Sequence, residues 1–400
     1  MPETPAEKVA GPAANPVAVE ATNPVAVEAT SPVAVVATSP VAVEATSPIV
    51  ARVTRAGRVE SIHRGFGAVC DASGRGVAGF GDSETPVFWR SAAKPFQVMP
   101  FLEAGGAERF GLTTEEVALA VASHSGEPAH VATAESILEK GGFSAADLRC
   151  GATPPSDEAS AAAVVRDGRP FSPLHNNCSG KHAAMLLACR LLGFDPATYD
   201  DPAHPLQRLI LARVAFYAGH PASKIEIGVD GCSLPVFRLP ISRLAAAYAR
   251  LVAPGMLDDE SPAAAKARRR AVAAMIAAPF HVSGTGQFTT RFLEAGAGRW
   301  IGKEGAEGVY AIGVAAPRLL GIAFKIDDGA ARPRFPVAID ILSRLGIWEG
   351  GVPESLSGDV RPAILNARGL RVGEVVAAVP VEARADAAKG PPGDPVAGRA

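Results

Sequence analysis

Ser91 and Lys94 stand three residues apart in Phe88-Trp-Arg-Ser-Ala-Ala-Lys-Pro95, after a short apolar run that reads as a strand. If a helix starts at Ser91, the two side chains share one face, one turn apart. Pro95 suits that helix, because first-turn N–H groups have no intrahelical partner. A serine hydroxyl needs an adjacent base to become a nucleophile. A buried lysine is such a base once its pKa falls from about 10.4 towards about 7 to 8. S-x-x-K alone also fits a solvated helix start, but the neighbours Phe88, Trp89 and Phe96 are apolar. A second group, Ser123-His-Ser-Gly-Glu127, lies between the apolar run VALAVA and Pro128. It places hydroxyl and imidazole groups at a helix-to-helix junction, as a capping turn or a cavity wall. A third group is divided. His175-Asn-Asn-Cys-Ser-Gly-Lys-His182 sets Cys178 and Lys181 one turn apart, and Val229-Asp-Gly-Cys-Ser-Leu-Pro235 puts Cys232 in a Gly-containing turn. Two distant cysteines with a His or Asp suit zinc, although the spacing is not that of a zinc finger. Cys70, Cys150 and Cys189 read as small core residues. Most of the histidines read as structural, with His124 and His182 as the exceptions. The Gly-rich segments 282–288 and 302–308 lack the G-K-[ST] ending of a phosphate loop. Lys303, in the second of them, reads as lying between short elements before a late strand. It is a second cation for the site or a solvated surface lysine.

The elements that must position these groups are legible in outline. Strands are expected over Ile49–Thr54, Val59–Arg64, Phe66–Asp71 and Val77–Phe80, separated by turns such as Asp71-Ala-Ser-Gly74. Thr113-x-x-Glu116 predicts a capping box before a helix. Pro128 suits the first turn of a helix that ends near Lys140. Further helices are expected over Ser179–Leu192, Leu206–Tyr217, Ser242–Val252, Pro262–Ala278 and Pro336–Leu345. Strands return at Ile225–Val229, Val309–Val314 and Leu320–Ile326. Strands at both ends with helices between predict an α/β chain of the α+β kind. Its mainly antiparallel sheet is flanked by helices and carries a helical subdomain.

The chain has 400 residues, 48% of them hydrophobic, enough for a sizeable core. Its 39 Lys+Arg nearly balance 41 Asp+Glu, so nothing marks it for nucleic acid or an anionic membrane. No apolar run is long enough for a transmembrane helix, and the first residues lack the features of a secretory signal. Five cysteines, few and odd in number, fit a reducing compartment, so a cytoplasmic protein is expected. Residues 15–54 are five copies of an eight-residue unit, from NPVAVEAT to SPIVARVT. The last copy reads as the true first strand. Residues 1–46 are expected to be low-complexity and disordered, 47–382 to be one catalytic domain, and 383–400 a disordered tail.

Taken together, VESIHRG (59–65), RSAAKPFQ (90–97), SHSGEP (123–128), NNCSGKHAAML (176–186), VDGCSLPVF (229–237), KEGAEGVYAIG (303–313) and KIDDG (325–329) resemble the L-asparaginase II family of the rhizobial thermolabile type. The resemblance implies a serine β-lactamase-like fold, a homodimer, and hydrolysis of L-asparagine to aspartate and ammonia. It implies two Ser–Lys pairs, Ser91/Lys94 and Ser123/Lys303, with Ser91 as nucleophile. It maps a zinc site onto Cys178, Lys181 and Cys232, with Asp230 beside it. The zinc is expected to modulate rather than to be essential, and no organic cofactor is expected. Arg90, His124, His182 and Asp230 are assigned to substrate binding, Arg90 through the α-carboxylate. A glutaminase or a penicillin-recognising hydrolase would share S-x-x-K, but the K-T-G signature of the latter is not found, since SGTG at 283–286 lacks the lysine. A zinc-binding scaffold with a vestigial site would keep Cys178 and Cys232 without needing Ser91 or Lys94.

Overall fold

The computed structural model describes residues 47–384; the repeats before Ser47 and the residues after Arg384 lie outside it. The chain opens with β1 (Ile49–Arg55), β2 (Arg58–Cys70), β3 (Gly76–Phe80) and β4 (Pro86–Phe88). After a mainly helical stretch come β5 (Glu226–Val229) and β6 (Pro235–Pro240). The last strands are β7 (Trp300–Glu304), β8 (Val309–Val314), β9 (Leu320–Ile326), β10 (Ala363–Leu365), β11 (Arg371–Ala377) and β12 (Glu382–Ala383). The main sheet runs β10-β11-β1-β2-β9-β8-β7, with β3 and β12 paired off this path, and every pairing is antiparallel. A small second sheet has the order β4-β6-β5. The fold is α+β, as expected.

Side chains alternate across each strand, and the two faces of the main sheet join different cores. Phe66, Ala68, Ala311 and Ala323 pack with the helical subdomain and with Tyr248 and Leu244 of the helix Ile241–Leu251. Val69, Ile312, Ile322 and Phe324 pack with Val337 and Ile341 of the helix Arg334–Arg344. Small residues line the first face, which lets the helix Ile241–Leu251 lie close to the strands. Lys303 is two residues beyond Ile301, which belongs to the first core, so its side chain points to the helical side.

Three expectations change. The two strands foreseen over 59–71 are one 13-residue strand, β2, in which Gly65 pairs with Ile326 rather than turning the chain. Its first half is mostly exposed and pairs with β1; its second half is buried between β9 and β3. Lys303 is not between elements but inside β7, opposite Ala311 of β8. The helix expected to start at Ser91 begins as a 3₁₀ turn, Arg90–Ala93, which becomes α-helical at Lys94. The capping box at Thr113 and Glu116 is formed as foreseen.

Candidate active site

Ser91 sits where β4 leaves the small sheet. Arg90, just before it, has a φ of +49°, a left-handed conformation that costs a non-glycine residue energy. What holds Arg90 there is Asp230: its carboxylate accepts from Arg90 Nε at 2.7 Å and from Gly231 N–H at 2.8 Å. Arg90 and Asp230, far apart in sequence, thus form a half-buried pair of unlike charges beside Ser91.

Lys94 is fully buried. Its amine donates to the carbonyl oxygens of Ala122 and Asn177, the latter at 3.0 Å, and lies 3.0 Å from Ser123 Oγ. Lys303 Nζ lies 2.7 Å from the same hydroxyl and donates to its neighbour's carbonyl, Glu304 O, at 3.1 Å. Both lysines therefore converge on Ser123, and the bonds of Lys94 run to Ser123 rather than to Ser91. With its two N–H groups on carbonyls, a neutral Lys94 offers its lone pair to the Ser123 hydroxyl, which can accept from Lys303 at the same time. Burial is the main reason that both amines lose basicity. Lys303 is pushed down to about 7, with the Lys94 charge acting the same way and Glu304 opposing. Lys94 is also lowered, with Lys181 acting the same way and the Cys178 thiolate opposing.

The Ser123 loop is anchored rather than loose. Ser123 N–H donates to Val282 O at 3.1 Å. The Glu127 carboxylate accepts from Ser125 Oγ at 2.6 Å and from Thr285 N–H and Oγ1 at 2.8 and 2.7 Å. The Gly-rich 282–288 segment is thus a clamp on this loop. Gly284, at φ +128°, has no room for a side chain, since a Cβ there would lie 2.1 Å from Ser125 Oγ. His124 takes a supporting place: it is buried, accepts from Gly126 N–H through Nδ1 and bonds Ser179 Oγ through Nε2 at 2.9 Å. His182 is buried as well and bonds the Tyr199 hydroxyl at 2.7 Å. Burial holds both imidazoles well below their ordinary pKa, so both are neutral. Neither is hydrogen-bonded to the serine–lysine cluster.

Next to Lys94 lies the thiol cluster. Lys181 Nζ is 3.5 Å from Cys232 Sγ. The Cys232 thiol, helped by Lys94 and Lys181, holds Cys178 well below the usual thiol value against the cost of burial. The nearness of Cys178, with burial, drives Cys232 up. Burial alone would lower Lys181, but the two sulfurs and Asp230 outweigh it and raise this amine. Two thiols and an amine that converge in this way fit the donor chemistry of zinc. Among the described residues no group of three or more His, Cys, Asp or Glu side chains is placed to hold a metal ion.

The family model described as L-asparaginase II matches residues 51–377, most of the chain. The protein belongs to the L-asparaginase II family. No curated protein matches the chain. As a member of this asparaginase family the protein is an amidohydrolase of asparaginase type acting on an amide substrate. Among the described residues no helix is long and apolar enough to cross a membrane. Two features of this asparaginase site escaped the sequence reading. One is the placement of Lys303-Glu-Gly305, a K-x-G at the end of the edge strand β7. Gly305 is required there, because a Cβ would come within 2.8 Å of Trp89 O. The other is Arg334, which bonds Glu304 and Gly305. Only the alternation of Ile301 and Lys303 within an apolar strand could have signalled that Lys303 faces inward.

Proposed function

We propose that the protein hydrolyses the side-chain amide of L-asparagine to aspartate and ammonia through a serine acyl-enzyme. The observation that carries this reading is the meeting at Ser123 Oγ of two buried lysine amines, one of them from Lys94, which follows Ser91 in the same helical turn. Ser91 Oγ attacks the amide carbon and its proton goes to Lys94, whose lone pair must turn for this step from the Ser123 hydroxyl to Ser91. At the start of the Ser91 turn the Ala92 N–H is bonded to Trp89 O, and the N–H groups of Arg90 and Ser91 would hold the developing oxyanion. The C–N bond breaks as the leaving nitrogen takes the proton from Lys94, and ammonia departs. Water then attacks the β-aspartyl ester, gives its proton to the same amine, and the ester oxygen leaves as the Ser91 hydroxyl. Ser123 passes protons between Lys94 and Lys303. Arg90 and Asp230 supply opposite charges for the α-carboxylate and α-ammonium of an amino acid, which favours asparagine over a simple amide.

Zinc would be held by Cys178, Lys181 and Cys232, and bound there it would supply positive charge beside Asp230 that tunes substrate affinity. Lys181 must lose its proton to ligate, so metal affinity falls as pH falls.

A second reading makes Ser123 the nucleophile, favoured by the contact of both lysines with its oxygen. The two readings differ in where the acyl group is found. An acid quench during turnover of asparagine, followed by peptide mapping, should place the aspartyl adduct on the peptide with Ser91. An adduct on Ser123 establishes the second reading. Wild-type ammonia release by both Ser91→Ala and Ser123→Ala would sink the acyl-enzyme altogether. Ammonia release from glutamine and hydrolysis of nitrocefin, measured alongside, test the glutaminase and penicillin-hydrolase alternatives.

A further inference from the structure

Glu304 touches Lys303 and Arg334 through different groups. Its backbone carbonyl accepts from Lys303 Nζ at 3.1 Å. Its carboxylate accepts from Arg334 Nη2 at 3.0 Å. The same guanidinium donates from Nη1 to Gly305 O at 3.2 Å. Arg334 Nε is buried and has no hydrogen-bond partner among the described residues. Arg334 opens the helix Arg334–Arg344, so its side chain ties that helix to the last residue of β7 and to the turn that follows. An ion pair that keeps some contact with solvent by itself adds little stability. The planar fork matters here because it holds a carboxylate and a carbonyl together, which a single ammonium cannot do.

We propose that Arg334 and Glu304 are a positioning pair for Lys303. The guanidinium fixes the end of β7 that carries the amine, and the two opposite charges balance the field in which that amine gains and loses its proton. The proposal rests on Lys303 serving the proton relay. The groups that act on Lys303 are Glu304 on its own strand, Lys94 from the helix Lys94–Gln97, Cys178 before the helix Ser179–Leu192, and Arg334. Glu304 and Cys178 favour the ammonium, whereas Lys94 and Arg334 disfavour it. Removing either member of the pair therefore unbalances the field, in opposite directions.

The test is the pH dependence of kcat/KM for asparagine with the full chain. Lys303 must be neutral to accept a proton, so wild type should show an acid limb with a midpoint near 7. Glu304→Gln removes a negative charge, and the limb should move to lower pH by about half a unit. Arg334→Met should move it upward by about as much and lower kcat by about tenfold, through loss of the fork. Arg334→Lys keeps the charge but not the fork, so the limb should stay in place while kcat falls about threefold. If Arg334→Met does not fold, the Glu304→Gln and Arg334→Lys pair still decides the matter. A limb that stays at the wild-type pH in Glu304→Gln, or that moves upward there, overturns the proposal. So does wild-type kcat in Arg334→Lys. The underlying reading fails separately, if Lys303→Met retains both the wild-type rate and the acid limb.

Discussion

Lys303 and Lys181 are almost equally buried, at 1% and 2% exposure, yet their amines are driven in opposite directions. Around Lys303 the partners are a hydroxyl, a carbonyl and another lysine, so burial prevails and the amine approaches neutrality. Around Lys181 stand two sulfurs and Asp230, and their negative charge overrides the same desolvation. Burial sets the size of the electrostatic stake, and the neighbouring charges decide which protonation state wins. One region of the site is thereby suited to moving protons, and the adjoining one to holding a cation.

Variants that remove the chemistry from the first region should have the largest effect. Ser91→Ala should lower kcat by about a thousandfold or more, as losing a nucleophile does, while the Tm of the folded protein barely changes. A residual rate near wild type would erase the distinction between the regions. Next, Lys303→Met should lower kcat by about a hundredfold, the scale of one general acid–base group, whereas Lys181→Met should raise KM and leave kcat within about threefold. Equal losses of kcat in the two variants would show that the thiol region takes part in the transition state. For wild type, the fraction of neutral Lys303 rises with pH through a midpoint near 7. kcat/KM should therefore be about tenfold lower at pH 6 than at pH 8, and a flat profile would remove Lys303 from the rate. The smallest effect is expected from a chelator, which should raise KM several-fold and change kcat less, as loss of uniform binding does. A thousandfold fall in kcat at constant KM would place zinc in the transition state.

Much of this arrangement was legible from residue spacing, and the parts that were not have a common cause. The Thr113–Glu116 cap and the bounds of the helix Ser179–Leu192 depend on neighbours a few residues away, and both are found as read. The association of Ser123 with Lys94 rather than Ser91 with Lys94 depends on how a loop 29 residues further on is packed. β6 escaped notice because prolines stand at both ends, Pro235 and Pro240, although its interior residues Val236, Phe237 and Leu239 are buried. β11 was missed because its residues are only partly buried and their alternation is weak. Lys303 read as a loop residue because glycines surround it, when Gly302 and Gly305 are there to admit Tyr310 and the Trp89 backbone. The ion pair between Arg90 and Asp230 spans 140 residues and carries no local signature at all.

The pairing of β1 with β11, Ala51 against Ala377, has a consequence for biosynthesis. The first strand of the sheet finds one of its two neighbours only after more than three hundred further residues have been made. The proposed proton relay likewise needs Lys94 and Ser123 to wait for Lys303. Such long-range closure slows folding, because the entropy of the loop must be lost before the contacts form. A ribosome-bound chain that ends before β7 would therefore hold the hydroxyls and the first lysine without a working site. Catalysis should emerge in a single late step during synthesis, when the edge strand docks, and not grow in proportion to chain length.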